Sequence, residues 1–353
     1  MSKHAIGIIG FGGMAKYHFD ALKNYERAYV KGVWDVNPAR RELAEQLGLT
    51  AYKSLECLLR DSDIDLVLVS TTNEAHKELT IKAFEAGKNV VICEKPAALN
   101  SAELTEMIDA AKKYNRVFTV DQNRRTNRDF LLMKKIAESG EIGEAYSIES
   151  RVEAARGISA WRTVKRLGGG IMLDWGVHLI DQLMYMLDQR VTSVFCKMYR
   201  IKYTEIEDNF TLFLTFESGV TAVVEVGTNN YITRPRWYVL GKSGTLQIND
   251  WDCRGKIVKR GDVKNVFDEA IIYTSAGPTK TMLPMQPSEN KTVDICATDD
   301  IVDNFLAVYD QFIDAAEGKA ELTIKPEQAL RVMQVIDAAF ESDKTGKAID
   351  TSI

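Results

Sequence analysis

The run Gly10-Phe11-Gly12-Gly13-Met14-Ala15 constrains this chain more than any other segment. It follows Ala5-Ile6-Gly7-Ile8-Ile9, an apolar stretch without polar alternation, as expected of a central parallel strand covered on both faces. A helix is expected next, with Tyr17, Ala21 and Leu22 supplying much of its apolar face. Strand, Gly-x-Gly-x-x-Ala turn and helix in that order form a dinucleotide fingerprint. Gly10 permits the tight turn, Gly12 lets the backbone approach a pyrophosphate, and Ala15 is small enough for helix and strand to pack closely. The helix amino terminus then aims unpaired N–H groups at the diphosphate. Asp35 closes the second strand, and a carboxylate there accepts from a ribose 2'-hydroxyl and repels a 2'-phosphate. NAD is therefore expected over NADP. Arg40 and Arg41, either of which can fold back onto a phosphate, point the other way.

Short apolar segments alternate with helical ones as far as Val120. Strands are expected over Ala28 to Trp34, Ile64 to Ser70, Asn89 to Cys93 and Arg116 to Val120. Helices are expected over Ala39 to Leu47, Glu74 to Ala86 and from Ser101, as cap, to Tyr114. This is the pattern of a parallel sheet covered on both faces. Beyond a helix over Arg128 to Ser139 the pattern changes. Strand-like runs at Tyr146 to Val152, Val191 to Lys202, Asp208 to Glu217, Val220 to Thr228, Arg236 to Leu240 and Gly244 to Asn249 predict a largely antiparallel sheet with helices on one face. Those helices are expected at about Asp174 to Leu187, Asp300 to Glu317 and Pro326 to Glu341. The stretch Asp262 to Val293, with Pro278, Pro284 and Pro287, looks irregular. The expected domains are 1–122 for the dinucleotide and 123–353 for substrate and assembly.

In an open parallel sheet, ligands gather outside the carboxyl ends of the strands. Glu94-Lys95-Pro96 follows a buried strand, so topology delivers Lys95 to that crevice. A second cluster is Asp174-Trp175-Gly176-Val177-His178-Leu179-Ile180-Asp181. In an α-helix, Asp174 and His178 share a face, and His178 and Asp181 are neighbours. Oxidising an alcohol needs a base for the hydroxyl proton and a hydride acceptor. His178 suits the base, with Asp174 orienting it or holding a substrate hydroxyl. Lys95 suits stabilisation of the developing alkoxide, or relay of the proton. A core histidine and a helix-capping Asp174 are the plain structural alternatives. The His/Asp pair has no third ligand at convincing spacing, so no metal is expected.

Taken together, the glycine turn, Glu94-Lys95-Pro96, and Gly168-Gly169-Gly170 leading to Asp174, Gly176, His178 and Asp181 resemble the Gfo/Idh/MocA family of glucose-fructose oxidoreductase and inositol 2-dehydrogenase-like enzymes. The resemblance spans nearly the whole chain. It implies an N-terminal Rossmann NAD(P)-binding domain and a C-terminal α/β domain on a large, mostly antiparallel open sheet. It implies Lys95, Asp174 and His178 as catalytic residues. For the cofactor it implies Gly10, Phe11, Gly12, Gly13, Met14, Ala15, Asp35, Thr71, Asn73, His76, Glu94 and Lys95. Substrate contacts are expected from Lys95, Arg124, Trp161, Arg162, Asp174 and His178; a domain-interface salt bridge is the alternative for Arg124 and Arg125. Thr72 stands where similar members often carry Pro.

The activity so implied is NAD-dependent hydride transfer at a secondary alcohol of a sugar, inositol or glycoside. Alternatives are a glycoside 3-oxidase with tightly bound NAD, a redox-assisted glycosidase and a non-catalytic sugar sensor. A formal net charge of -5 gives no general attraction to nucleic acid or anionic membrane. The five cysteines are scattered, odd in number and without a Cys-x-x-Cys pair, which fits a reducing, cytoplasmic setting. No run is long enough to span a membrane. A one-sided antiparallel sheet leaves a face for a second subunit, so a homodimer or homotetramer through that sheet is expected.

Overall fold

In the computed structural model, residues 3–261, 271–275, 277–279 and 290–353 are described. The alternating first part forms a six-stranded parallel sheet in the order β3-β2-β1-β4-β5-β6. Its strands are β1 (His4–Ile9), β2 (Ala28–Trp34), β3 (Thr50–Ala51), β4 (Ile64–Val69), β5 (Val90–Cys93) and β6 (Val117–Val120). Between them run α1 (Gly13–Leu22), α2 (Pro38–Gln46), α3 (Leu55–Arg60), α4 (His76–Glu85) and α5 (Ser101–Lys113). This strand order reverses between β1 and β4, and the crevice above that switch point is where such sheets bind ligands.

Local chemistry sets most boundaries. The Asn37 side chain accepts from the Ala39 amide and Pro38 opens α2. The cap of α5 is Asn100, whose side chain accepts from the Glu103 amide; Ser101 is the first helical residue instead of the cap. The buried face of α1 is Ala15, His18, Phe19 and Leu22, whereas Tyr17 is exposed. Tyr17 lies a quarter-turn away from that stripe, and a histidine takes the inward position that apolar patterning assigned elsewhere.

The second sheet has the order β16-β13-β12-β11-β7-β10-β9-β8-β17. Its strands are β7 (Ala145–Glu153), β8 (Val191–Tyr199), β9 (Asn209–Phe216), β10 (Thr221–Gly227), β11 (Trp237–Gly241), β12 (Gly244–Ile248), β13 (Gly255–Arg260), β16 (Asn290–Ile295) and β17 (Ile349–Asp350). All neighbours are antiparallel except β7 and β10. The stretch expected to be irregular contains the small hairpin of β14 (Ile272–Thr274) and β15 (Gly277–Thr279), and its end belongs to β16. Pro284 and Pro287 lie outside the described residues. Helices α6 (Arg128–Glu138), α7 (Val177–Leu187), α8 (Leu306–Ala316) and α9 (Pro326–Thr345) complete the chain.

Two corrections matter for the site. The helix expected from Asp174 begins as a π turn over Met172–Gly176, with α7 following it. The helix expected from Asp300 begins only at Leu306 and packs Val308, Tyr309, Phe312 and Ile313 against the β1 side of the parallel sheet, beside Phe19 and Leu22. None of the described helices is long and apolar enough to cross a membrane.

Candidate active site

The crevice is built first by Gly10. Its φ of +87° is left-handed, and a Cβ there would lie 2.5 Å from the Ser70 carbonyl oxygen, so the ends of β1 and β4 close up only around glycine. Gly12 precedes α1 with no side-chain cap. The first-turn N–H groups are thus available to an anion, and Gly12 leaves its approach open. Asp35 pins this turn. It is 2 % exposed, with one carboxylate oxygen accepting from the Phe11 amide at 2.7 Å and the other from the Asn37 amide at 2.7 Å. Arg40 lies 3.2 Å from the same carboxylate, and Arg41 donates to the Asp35 carbonyl. Both arginines therefore fold back onto Asp35. Phe11 is buried in an edge-to-face pair with Phe19, while Met14 and Gly13 are exposed and Ala15 is buried.

Several residues expected at the cofactor also knit the crevice walls together. The Asn73 amide donates to the Gly168 carbonyl at 2.8 Å. His76 is buried, with Nδ1 2.8 Å from the Pro96 carbonyl and Nε2 3.3 Å from that of Thr71; burial lowers its pKa. Thr72 donates to Glu74. Glu94 points inward to His18, at 2.7 Å.

Lys95 follows β5, joined to Pro96 by a cis peptide bond. Its ammonium donates to the Asp174 carbonyl at 2.9 Å and lies 3.3 Å from the Asp174 carboxylate. Arg162 approaches the other carboxylate oxygen at 2.9 Å and lies against the Trp161 ring. Burial disfavours the Asp174 anion, but these two cations outweigh it and hold the carboxyl below its ordinary range. Asp174 owes its position to the π turn. At Gly170, φ is +110° and a Cβ would lie 2.3 Å from the Glu207 carboxylate, which accepts from the Met172 amide at 3.0 Å. Asp174 therefore engages Lys95 and Arg162, and no hydrogen bond joins it to His178. The expected face-sharing of Asp174 and His178 assumed α-helical spacing, which the π turn alters.

His178 is 4 % exposed, and its Nδ1 has no hydrogen-bond partner among the described residues. Burial, then the positive charges of Lys95, Arg124 and Arg236, hold its pKa well below 6.5, so the ring is neutral. Asp181 does not serve it: both Asp181 oxygens accept from Arg125, at 2.6 and 2.8 Å. Arg125 thus makes a buried salt bridge, but with a residue of its own expected domain, 123–353, and not across the domain boundary. The Arg124 guanidinium lies over Trp175 at 4.2 Å and near Trp251 at 5.5 Å, and its carbonyl accepts from Gln182 at 2.8 Å. Trp175 meets His178 edge-on, with ring centroids 6.0 Å apart.

Residues 4–122 match the oxidoreductase family with an NAD-binding Rossmann fold, and residues 130–247 match the GFO/IDH/MocA C-terminal domain. The chain belongs to the Gfo/Idh/MocA family. An NAD-binding protein from Listeria innocua, known as a crystal structure, is 39% identical with a TM-score of 0.88 over 99% of this chain and 97% of that one. A myo-inositol 2-dehydrogenase from Thermotoga maritima is 34% identical over 229 residues, 62% of this chain and 67% of that protein. An uncharacterized oxidoreductase from Schizosaccharomyces pombe is 27% identical over 95% of each chain.

In this Gfo/Idh/MocA chain, sequence reasoning passed over Trp251, Arg236, His18 and Asp121, and gave Trp175 no task. Trp251 and Arg236 flank strands far from the glycine run, so no local pattern joins them to His178. His18 did carry a signal, a histidine on the inward face of α1.

Proposed function

We propose that the protein is an NAD-dependent dehydrogenase acting on a secondary alcohol of a sugar, inositol or glycoside. The observation that carries this reading is the convergence of Lys95 with Asp174 beside a neutral His178, at the carboxyl edge of the parallel sheet. The relative named myo-inositol 2-dehydrogenase supports a polyol as substrate.

Bound NAD supplies the hydride acceptor for the carbinol C–H. The unpaired amides of the first α1 turn suit its diphosphate, and Asp35, at the end of β2, suits a ribose hydroxyl. His178 takes the hydroxyl proton, since burial and the charges of Lys95, Arg124 and Arg236 hold its pKa well below 6.5 and leave the ring uncharged beside Lys95. Lys95 donates a hydrogen bond to the same oxygen as negative charge develops there. Asp174, braced by Arg162, holds the Lys95 ammonium in place. Arg124, Trp161 and Arg162 offer planar groups to a polyhydroxylated ring. Assembly through the outer face of the nine-stranded sheet belongs to the same proposal.

A panel of inositols, aldoses and glycosides with NAD or NADP, followed by absorbance of the reduced nicotinamide, tests this. Accumulating NADH supports the dehydrogenase. Ketoglycoside formed without exchange of NAD identifies the 3-oxidase, and glycoside cleavage without net NADH the glycosidase. Sugar binding without turnover identifies a sensor and overturns the proposal.

A further inference from the structure

A second set of ionisable groups lies buried behind Lys95. His18 projects inward from α1 and is 1 % exposed. Its Nε2 lies 2.7 Å from a Glu94 carboxylate oxygen and 3.4 Å from Asp121, and its Nδ1 lies 2.6 Å from the Tyr309 hydroxyl. Glu94 closes β5, Asp121 follows β6 and Tyr309 stands on α8, so four separate elements meet at one imidazole. Glu94, Asp121 and Tyr309 are all buried. The other oxygen of Glu94 accepts from the Lys95 amide at 3.2 Å. The Asp121 amide donates to the Cys93 carbonyl at 2.8 Å, tying β6 to the strand that delivers Lys95.

His18, Glu94 and Asp121 are metal-ligand types with ligand atoms within 4.8 Å of one another. The ring, however, meets Glu94 at direct hydrogen-bonding distance and Tyr309 at its other nitrogen, so the protein itself uses both nitrogens. Burial opposes a charge on His18, but the Glu94 and Asp121 carboxylates outweigh it and raise its pKa. Burial and the Glu94 charge push Asp121 up to about 7, which leaves Glu94 as the chief anion facing the ring. A buried histidine-carboxylate pair of this kind tolerates loss of one partner poorly.

We infer that His18 is a positioning residue: through its ion-paired hydrogen bond to Glu94 it fixes the backbone turn that aims Lys95 at Asp174, and it ties that aim to α1, the helix whose first turn suits the dinucleotide. The inference rests on the reading of Lys95 as a catalytic residue. Glu94 is then a strut whose two oxygens face His18 and the Lys95 amide. Small displacements matter here, because misplacing a reacting group by about 1 Å costs on the order of a hundredfold in rate.

The test compares His18→Leu with His18→Gln in the full chain, after circular dichroism and dinucleotide binding have shown each to be folded. Leucine suits a buried apolar site, whereas glutamine keeps a donor for Glu94. The inference expects kcat to fall by about tenfold or more in His18→Leu, KM for the alcohol to stay within about threefold, and His18→Gln to recover part of kcat. It also expects the pH profile of kcat to change shape, since Glu94, Asp121, Tyr309 and Lys95 all face or adjoin the cluster. Glu94→Gln, of the same shape without the charge, should reproduce the kcat loss and replaces His18→Leu should that variant not fold. The labelling rate of Lys95 by an amine reagent, read by mass spectrometry, needs no turnover and should change by about threefold or more in these variants. A wild type without turnover on any alcohol would defeat the dehydrogenase reading, and Lys95 labelling would still decide the role of His18. The inference is overturned when the folded variants keep both kcat, where turnover exists, and Lys95 labelling within about twofold of wild type, or when leucine outperforms glutamine.

Discussion

Lys95 and Asp174 meet across 79 positions of chain, the ammonium donating to the Asp174 carbonyl at 2.9 Å and lying 3.3 Å from its carboxylate. The contact joins the end of a parallel strand to a π turn, and it sets the geometry on which the proposed chemistry depends. Replacing Lys95 with Ala should lower kcat by about 10² to 10⁴ while leaving dinucleotide affinity nearly unchanged. Steady-state kinetics and fluorescence titration with NADH check both halves. Full turnover in the folded variant would remove Lys95 from the mechanism.

Asp35 should govern the choice of cofactor. Asp35→Ser removes the carboxylate that repels a 2'-phosphate and releases Arg40, now 3.2 Å from it. A hydrogen bond to a charged group contributes about 1.5–3 kcal/mol, so the NADP-to-NAD ratio of kcat/KM should rise by about tenfold or more. An unchanged ratio would show that Asp35 serves only the turn that it pins.

His178 also makes a prediction about acid stability. Its folded pKa lies well below 6.5, through burial and then the charges of Lys95, Arg124 and Arg236. As pH falls through about 6.5 the unfolded ring takes up a proton and the folded ring does not. The unfolded state then binds more protons, so this contribution is present at neutral pH and is lost on acidification. His178→Gln should make the thermal midpoint fall less steeply between about pH 7 and pH 5. Parallel slopes for wild type and variant would contradict this assignment.

The Arg125–Asp181 pair is almost wholly buried and bonded at two points. Removing one partner leaves an uncompensated charge in the interior, at a cost of about 3–5 kcal/mol. Asp181→Ala should therefore lose about that much stability in denaturant titrations. The replacement of both residues by apolar ones should cost less than either single change.

On the outer face of the nine-stranded sheet, Phe213 is 47 % exposed and pairs with Phe195 across β8 and β9, ring centroids 6.2 Å apart. This apolar pair suits a second subunit. Phe213→Glu should reduce the mass measured by light scattering in solution without lowering the thermal midpoint of the monomer. An unchanged mass would place any assembly elsewhere.

Much of this architecture is legible in one dimension because its causes are local. The strands from Ile6 to Val120 announce themselves by apolar runs, and Gly10 by a turn that no side chain fits. Asn37-Pro38 marks a helix start for reasons confined to two residues. The same local reasoning misplaced Tyr17 on the buried face, because a helical stripe can include a histidine whose partners lie on other elements. It also spaced Asp174 and His178 as if on an α-helix, since nothing in Met172–Gly176 announces a π turn; Glu207, distant in sequence, holds its first amide.

The sequence by itself determined the alternation of strand and helix, the glycine turn at the switch point, the antiparallel character of the second sheet and the residue types offered to the crevice. Those follow from hydrophobic period and backbone freedom, which act over a few residues. Only the tertiary structure decided the partners. Asp174 goes to Lys95 and Arg162, Asp181 to Arg125, Glu94 to His18, and His178 Nδ1 has no partner among the described residues, with three positive charges acting on the ring. Charge pairing and desolvation depend on distance in space, and the fold alone sets which distant side chains share a buried volume.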